Sequence, residues 1–178
     1  MHGVIETIGQ RKYDLVIDIG SAEGYYAVGL ARMLQTKVIA YDPEPIERAL
    51  CEESARLNCV SSFLECRELF RSSDLERFRN QRVLCVCDCE GFETTIFSSN
   101  TIQKISKWDL LIELHGDAVQ KLQNLSWPHT TRTIHSEMRS QTYQELEGLG
   151  NQDSLVSEHR GSQQTWLWCD SIARQEYA

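Results

Sequence analysis

Short apolar runs alternate with amphipathic segments along most of the chain. Runs rich in Val, Ile, Leu or Cys and bounded by polar or turn residues predict strands near 14–19, 37–42, 61–66, 82–88 and 108–114. Apolar residues at helical spacing predict helices over 24–35, 45–57, 73–80 and 93–105. Such regular alternation is typical of an α/β protein, in which helices cover both faces of a parallel sheet.

The last third of the chain continues the pattern less clearly. A helix is predicted over 117–124, followed by two longer strands near 130–136 and 164–170. Between them, residues 139–163 are polar and rich in Gly, Ser and Gln, which indicates a helix plus a mobile loop. The sequence has no internal repeat and no linker rich in Pro and Gly, so we expect one domain over residues 1–178.

Charge and hydropathy restrict the possible partners. The net charge of −8 describes a surface that repels phosphate backbones, so nucleic acid is not an expected partner. No window approaches the length of an apolar membrane span, and no basic-then-apolar leader opens the sequence. We therefore expect a soluble cytoplasmic protein without a membrane partner.

The seven cysteines fit neither zinc knuckles nor a secreted disulfide framework. Cys85, Cys87 and Cys89 alternate along a predicted strand, so their side chains should share one face of the sheet. Free cysteine is among the most buried residue types. We expect reduced thiols packed beneath a helix, and no cysteine metal site.

Candidate chemistry lies where the strands end, because ligands of open parallel sheets bind beyond the carboxyl ends of the strands. After the first strand, residues 18–24 (DIGSAEG) supply glycines that permit a close ligand approach and positive φ. The dinucleotide fingerprint GxGxxG requires glycines where Ala22 and Ala27 stand. Glu23, at the helix entrance, would also repel a pyrophosphate. An NAD-dependent oxidoreductase is therefore disfavoured.

S-adenosylmethionine meets neither objection, because it carries no phosphate and presents a sulfonium, an ammonium and a ribose diol. Asp42 ends the second predicted strand and is suited to accept hydrogen bonds from both ribose hydroxyls. The alternative interpretation is that Asp42 caps the following helix. Taken together in this order, the two strand ends favour a nucleoside cofactor.

Acidic residues and one histidine follow the fourth and fifth predicted strands. Asp88 and Glu90 lie beside a glycine after one strand, and Glu113 and His115 end the next. Adjacent parallel strands would bring all four side chains to one rim of the sheet. The alternative is a set of helix caps plus one ordinary histidine. Clustered like charges raise a carboxyl pKa, which favours a base site.

Four segments together resemble the successive motifs of FkbM-type methyltransferases, which are class I, Rossmann-like, S-adenosylmethionine-dependent enzymes. The segments are 18–26 (DIGSAEGYY), 41–45 (YDPEP), 88–93 (DCEGFE) and 112–115 (IELH). The resemblance covers roughly residues 14–116, and the DxEGxE element is its most specific part. It implies a three-layer sandwich around a seven-stranded, mostly parallel sheet with an antiparallel last strand, here the segment 165–169.

The resemblance also implies a set of cofactor-binding residues: Asp18, Gly20, Ser21, Gly24, Asp42 and Asp88. Three departures from the family pattern bear on substrate placement. The family commonly has Glu at the position of Asp42, often Lys at the position of Val86, and often Leu-x-Gly where residues 96–99 read IFSS. The few residues before the first strand also leave little chain for a substrate-covering cap.

The sequence thus predicts a methyltransferase that uses S-adenosylmethionine, with a hydroxyl of a small molecule, such as a sugar or a secondary metabolite, as methyl acceptor. His115 is the first candidate for the base that takes the hydroxyl proton, because its ordinary pKa lies near neutrality. Asp88, Glu90 and Glu113 complete the candidate catalytic set. One alternative is that these acids bind Mg²⁺. Another is a non-catalytic cofactor-binding module or subunit, and a homo-oligomer is possible.

Overall fold

The computed structural model describes residues 2–137 and 163–171, in which seven strands form one sheet. The strands are β1 (Leu15–Ile19), β2 (Val38–Tyr41), β3 (Leu64–Arg67), β4 (Val83–Cys87), β5 (Asp109–Glu113), β6 (Thr130–Glu137) and β7 (Gln163–Asp170). The helices are α1 (His2–Gly9), α2 (Tyr25–Leu34), α3 (Pro45–Leu57), α4 (Ser72–Phe78), α5 (Glu93–Ile96), α6 (Ser99–Lys104) and α7 (Ala118–Gln123).

The strand order is β3-β2-β1-β4-β5-β7-β6. Strands β1 to β5 are mutually parallel, and β7 runs antiparallel to both β5 and β6. The predicted seven-stranded, mostly parallel sheet with an antiparallel last strand is confirmed. Because β1 pairs with β2 on one side and β4 on the other, the strand order reverses beside β1, which opens a crevice at its carboxyl end.

Alternate residues of β1 face opposite sides of the sheet, and each side has its own core. Leu15, Ile17 and Ile19 pack with residues of α4, α6 and α7. Val16 packs on the other side with residues of α1, α2 and α3. By the same alternation Asp18 lies on the Val16 side, beneath α2. The result is three layers, with the first strand at the centre.

The structure differs from the sequence prediction at three places. Helix α1 was not predicted, although Val4 and Ile8 lie one turn apart and are both buried. The third strand begins at Leu64, because residues 61–63 form a turn in which the Phe63 amide donates to the Val60 carbonyl. The predicted helix 93–105 is two helices, since Ser98 starts a second one by accepting from the Thr101 amide.

The predicted helix and loop over 139–163 fall outside the described residues, except for residue 163, where β7 begins. In the described ranges, no helix has both the length and the apolar character needed to cross a bilayer.

Four of the seven cysteines are buried, whereas Cys59 is exposed. All seven lie in the described part of the chain, and none forms a disulfide. Cys85 and Cys87 are fully buried on one face, and the partly buried Cys89 packs against the same core. The Cys87 and Cys89 sulfurs lie 3.5 Å apart. The expected packing role is confirmed, with Cys89 just beyond the end of β4.

An ionic cluster around a buried carboxylate lies at the edge of the sheet where the parallel strands begin, opposite the crevice. It connects the segment before β1 with the end of β7. Asp109 is fully buried and accepts hydrogen bonds from Arg11 at 2.8 Å and from the Tyr13 hydroxyl at 2.7 Å. It also accepts from the amide and hydroxyl of Ser171. Arg11 bridges onward to Asp170 at 2.9 Å. One carboxylate therefore joins residues before β1 to residues after β7.

We expect Asp109→Ala to lower the free energy of unfolding by about 3–5 kcal/mol, because it leaves Arg11 and the Tyr13 hydroxyl without their buried acceptor. Urea denaturation measures the change. Glu53→Ala removes an exposed carboxylate that pairs with Arg56 within α3 and serves as the control, with no measurable loss expected. Equal stability of the two variants would contradict a structural role for Asp109.

Candidate functional site

The turn after β1 is built by glycine conformation and close backbone contacts. Gly20 has φ +80° and Gly24 has φ +92°, in the left-handed region where side chains are strained. The amides of Gly20 and Ser21 both donate to the Tyr41 carbonyl, at 2.9 and 3.1 Å. A Cβ on Gly20 would lie 1.8 Å from the carbonyl oxygen of Asp88. Glycine at this position therefore lets the ends of β1, β2 and β4 meet.

Asp18, near the end of β1, and Ser21, in this turn, are buried and unsatisfied. Asp18 is 1% exposed and Ser21 is 6% exposed, and neither Asp18 oxygen nor the Ser21 hydroxyl has a hydrogen-bond partner of normal geometry. Burial raises the pKa of Asp18 to about 7, with smaller contributions from the charges of Asp88 and Asp42, and the nearby Ala27 amide offsets it only in part. These atoms are available to a donor or a positive charge at the end of β1.

The raised pKa of Asp18 predicts a pH dependence of stability. A carboxyl whose pKa is higher in the folded state stabilises the fold at low pH, and that contribution is lost as the pH rises through the folded value, here about 7. We expect Asp18→Asn to gain about 2–3 kcal/mol of unfolding free energy relative to wild type between about pH 5 and about pH 8. Urea denaturation of the ligand-free proteins at both pH values measures this, and a pH-independent difference would contradict it.

The structure places Asp42 between two loops. One carboxylate oxygen accepts from the Ala22 amide at 3.0 Å, and the other accepts from the Glu44 amide at 2.9 Å, just before α3. Helix α3 has Glu44 as its N-cap, so this bond holds the loop before the helix and the capping interpretation of Asp42 is wrong. Each carboxylate oxygen still has a second acceptor position, so the ribose contact stays a prediction.

The four predicted rim residues do come together. His115 Nε2 lies 3.5 Å from a Glu90 oxygen and 3.8 Å from oxygens of both Asp88 and Glu113. Glu113 is 7% exposed, whereas Glu90 is 85% exposed. In the described part of the chain, no lysine or arginine forms an ion pair with these carboxylates. The rim is therefore strongly acidic around one imidazole.

The cluster has a fifth member that was not predicted from the sequence. Glu93 is fully buried at the start of α5, and its Oε1 lies 2.8 Å from His115 Nδ1. The same oxygen accepts from the Gly91 amide at 3.1 Å. The left-handed residues Glu90 (φ +52°) and Gly91 (φ +104°) turn the chain so that Glu93 points inward. The only sequence signal was its place as the last acid of DCEGFE.

The acidic surroundings perturb the protonation of the cluster. Burial, with the adjacent Asp88 carboxylate, raises the pKa of Glu113 to about 7. The pKa of Asp88 is also raised, chiefly by burial. Burial lowers the pKa of His115, but the hydrogen bond to Glu93 and the charges of Glu90, Glu93 and Asp88 outweigh it, so that the net shift is upward. The cluster can therefore hold and move a proton near neutral pH.

The same spacing is compatible with a divalent ion. One ligand atom each from Asp88, Glu90 and His115 lies within 4.8 Å of the others. The set combines one imidazole with two carboxylates, which suits several divalent metals. Geometry alone thus leaves both the base and the metal interpretation of the rim in place.

Aromatic side chains border the cluster. The Tyr26 ring contacts that of Trp166 edge to face, with 5.6 Å between centroids. Tyr26 lies near enough to Glu113 and Asp88 for their charges to raise its pKa, although burial contributes more. Trp166 and Trp168 are buried core residues. Phe92, in contrast, is 67% exposed in the turn between Glu90 and Glu93.

Comparisons with known proteins find likeness in structure alone: no family model and no curated protein sequence matches the chain. An O-methyltransferase from Bacillus cereus, solved in complex with S-adenosylhomocysteine, superposes with a TM-score of 0.58 at 10% identity, covering 94% of this chain and 77% of that one. Precorrin-6Y C5,15-methyltransferase from Geobacter metallireducens gives 0.61 at 9% identity, covering 94% and 86%.

A third match is precorrin 8W decarboxylase from Methanobacterium thermoautotrophicum, with a TM-score of 0.60 at 12% identity, covering 94% of this chain and 87% of that one. At such identities the likeness concerns the fold, and it does not reach the FkbM-type subfamily, which stays a prediction. The chain has the Rossmann-like fold of class I S-adenosylmethionine-dependent methyltransferases.

Proposed function

We propose that the protein is an S-adenosylmethionine-dependent methyltransferase of the FkbM type that methylates a hydroxyl of a small molecule such as a sugar or a secondary metabolite. The observation that carries the proposal is the contact of two strand ends. The β1 turn, with its unsatisfied buried polar atoms, touches the Asp88 carbonyl through Gly20. Asp88 in turn belongs to the acidic cluster around His115. This contact supports a cofactor position that adjoins a base.

The residues of the turn fit the proposed cofactor. Asp18 offers two carboxylate oxygens without hydrogen-bond partners, and Ser21 offers a buried hydroxyl. Asp42 retains acceptor capacity for a ribose diol. These groups suit a ligand with positive charge and hydroxyls. When bound, S-adenosylmethionine supplies an electrophilic methyl group on its sulfonium.

The role of the chain is then to orient the acceptor and to remove one proton. Holding the acceptor oxygen in line with the reacting methyl provides most of the rate, since such displacements depend mainly on orientation. His115 Nε2 accepts the hydroxyl proton, and the carboxylates of Asp88, Glu90 and Glu113 stabilise the resulting imidazolium. The exposed Phe92 lies beside the rim, where it can contact the body of the acceptor.

The test is the formation of S-adenosylhomocysteine with a panel of sugars, phenols and aliphatic alcohols, each assayed with and without EDTA. The proposal predicts turnover with at least one hydroxyl acceptor, unaffected by the chelator. Turnover abolished by EDTA and restored by Mg²⁺ would instead assign the acids to a metal. Cofactor binding without turnover on any acceptor would overturn the enzyme proposal and favour the non-catalytic module.

A further inference from the structure

We infer that Glu93 is a positioning residue that fixes the tautomer of His115 and turns its Nε2 atom toward the site. The catalytic consequence of this inference rests on the proposed function, but the tautomer itself does not. Glu93 has no contact with the β1 turn in the described hydrogen bonds and ion pairs. It would act only through the imidazole.

Two hydrogen bonds converge on one oxygen of Glu93. Glu93 Oε1 accepts from the Gly91 amide at 3.1 Å and lies 2.8 Å from His115 Nδ1. An ionised carboxylate accepts both bonds without rearrangement, which requires Nδ1 to carry the hydrogen. The side chain of Glu93 is fully buried, so water cannot compete for this bond. The bond at Nδ1 thereby fixes the orientation of the imidazole ring.

The consequence falls on the other ring nitrogen. With the hydrogen on Nδ1, neutral His115 has its lone pair on Nε2. No hydrogen bond in the described residues engages Nε2, and its nearest carboxylate oxygens lie 3.5–3.8 Å away. That spacing leaves Nε2 open to a hydroxyl proton. The opposite tautomer would place a hydrogen on Nε2, which could then no longer accept a proton.

Glu93 also favours the charged product of proton transfer. A buried carboxylate behind a histidine stabilises the imidazolium and keeps the ring oriented. The groups that face His115 come from three elements: Glu93 from α5, Glu113 from β5, and Asp88 and Glu90 from the segment after β4. Tyr26 of α2 lies near Glu113 and Asp88. Of these groups, Glu93 is the one that bonds to Nδ1.

The first test needs no variant and no acceptor. Long-range ¹H–¹⁵N correlation spectra of the wild-type protein report which ring nitrogen of His115 carries the hydrogen once the imidazole is neutral. We expect Nδ1–H with an unprotonated Nε2. An Nε2–H tautomer in the wild-type protein would overturn the inference, whatever the protein proves to catalyse.

The second test compares two acids that both surround the imidazole. Glu93→Gln should lower the pKa of His115, shift its neutral form away from Nδ1–H, and lower kcat by about 10²-fold with little change in the KM of the cofactor. Glu90→Gln removes a charge near Nε2 and should lower the His115 pKa too, while the Nδ1–H tautomer is retained. Unchanged tautomers in both variants would overturn the inference.

Glu93→Asp keeps the carboxylate but shortens the side chain by one methylene, and it serves as the rescue variant. We expect it to retain the Nδ1–H tautomer in part and to recover part of the lost kcat, which a mere packing defect would not show. The acid limb of kcat/KM should follow the His115 pKa, so it should lie at lower pH in Glu93→Gln than in wild type. An unshifted limb accompanied by a lowered pKa would overturn the catalytic part of the inference.

The outcomes separate this inference from the proposed function. If no acceptor is methylated, the spectra still decide the tautomer. If methyl transfer occurs but Glu93→Gln leaves the tautomer, the pH profile and kcat as in wild type, the proposed function stands and the positioning role fails.

Discussion

Replacing Gly20 by alanine is expected to disrupt the proposed cofactor site and to lower the free energy of unfolding by more than about 4 kcal/mol. The added Cβ would lie 1.8 Å from the Asp88 carbonyl oxygen and 3.1 Å from the Cys89 Cα, both backbone atoms that cannot turn aside. The left-handed φ of +80° adds strain for any side chain. Relief would require separating the ends of β1 and β4.

The matched control is Gly29→Ala on α2. A Cβ there would meet nothing within 4 Å, and its φ is not in the left-handed region. Because alanine has a higher helix propensity than glycine, we expect the free energy of unfolding to rise by about 0.5–1 kcal/mol. Urea denaturation and a binding titration with S-adenosylhomocysteine measure both variants. If Gly20→Ala had wild-type stability and affinity, the close approach of the two strand ends would not matter for the site.

The second large effect concerns His115. Under the proposed function, His115→Ala should lower kcat by about 10²–10⁴-fold, the range that a positioned base contributes. Cofactor affinity should change little, since the turn proposed to hold the cofactor lies at the end of β1. Loss of the imidazole also leaves Glu93, Asp88 and Glu113 without their shared partner. Single-turnover kinetics with saturating cofactor measure the chemical step directly.

His135→Ala is the control for this experiment. His135 is an exposed residue of β6 whose Nδ1 lies 3.3 Å from the Thr165 hydroxyl, so its loss should not affect turnover. Full activity of His115→Ala would mean that one of the neighbouring carboxylates, or bulk water, removes the proton. Loss of cofactor binding in that variant would instead assign the histidine a role in holding the cofactor.

The order of elements and the positions of most strands follow from the sequence. A strand that is buried on both faces of the sheet needs apolar residues at successive positions, and such a run is easy to recognise. Val83–Cys87 and Asp109–Glu113 are buried at every position, and both were predicted with nearly these bounds. Helix α1 escaped prediction because two buried residues, Val4 and Ile8, are too few to stand out in a short segment. The break between α5 and α6 at Ser98 was not predicted because the helical spacing of apolar residues continues across it.

The candidate site was predictable where it depended on topology. Parallel strands end at one edge, so Asp88, Glu90, Glu113 and His115 had to meet there. Its internal bonding was not predictable in the same way. The bond from Glu93 to His115 depends on a left-handed turn at Glu90 and Gly91, which no spacing rule encodes. The two backbone bonds of Asp42 depend likewise on how the β1 turn folds over α3.

The most direct test of the proposed S-adenosylmethionine site measures binding of S-adenosylmethionine, S-adenosylhomocysteine and NAD in parallel, by titration calorimetry and by thermal unfolding. We expect one site per chain for the two adenosyl ligands. At a ligand concentration of about 100 Kd, binding should add about 2.7 kcal/mol and raise Tm by several degrees, an effect lost in Asp42→Ala. Binding of NAD instead, or of none of the three, would contradict the assignment of the β1 turn as an S-adenosylmethionine site.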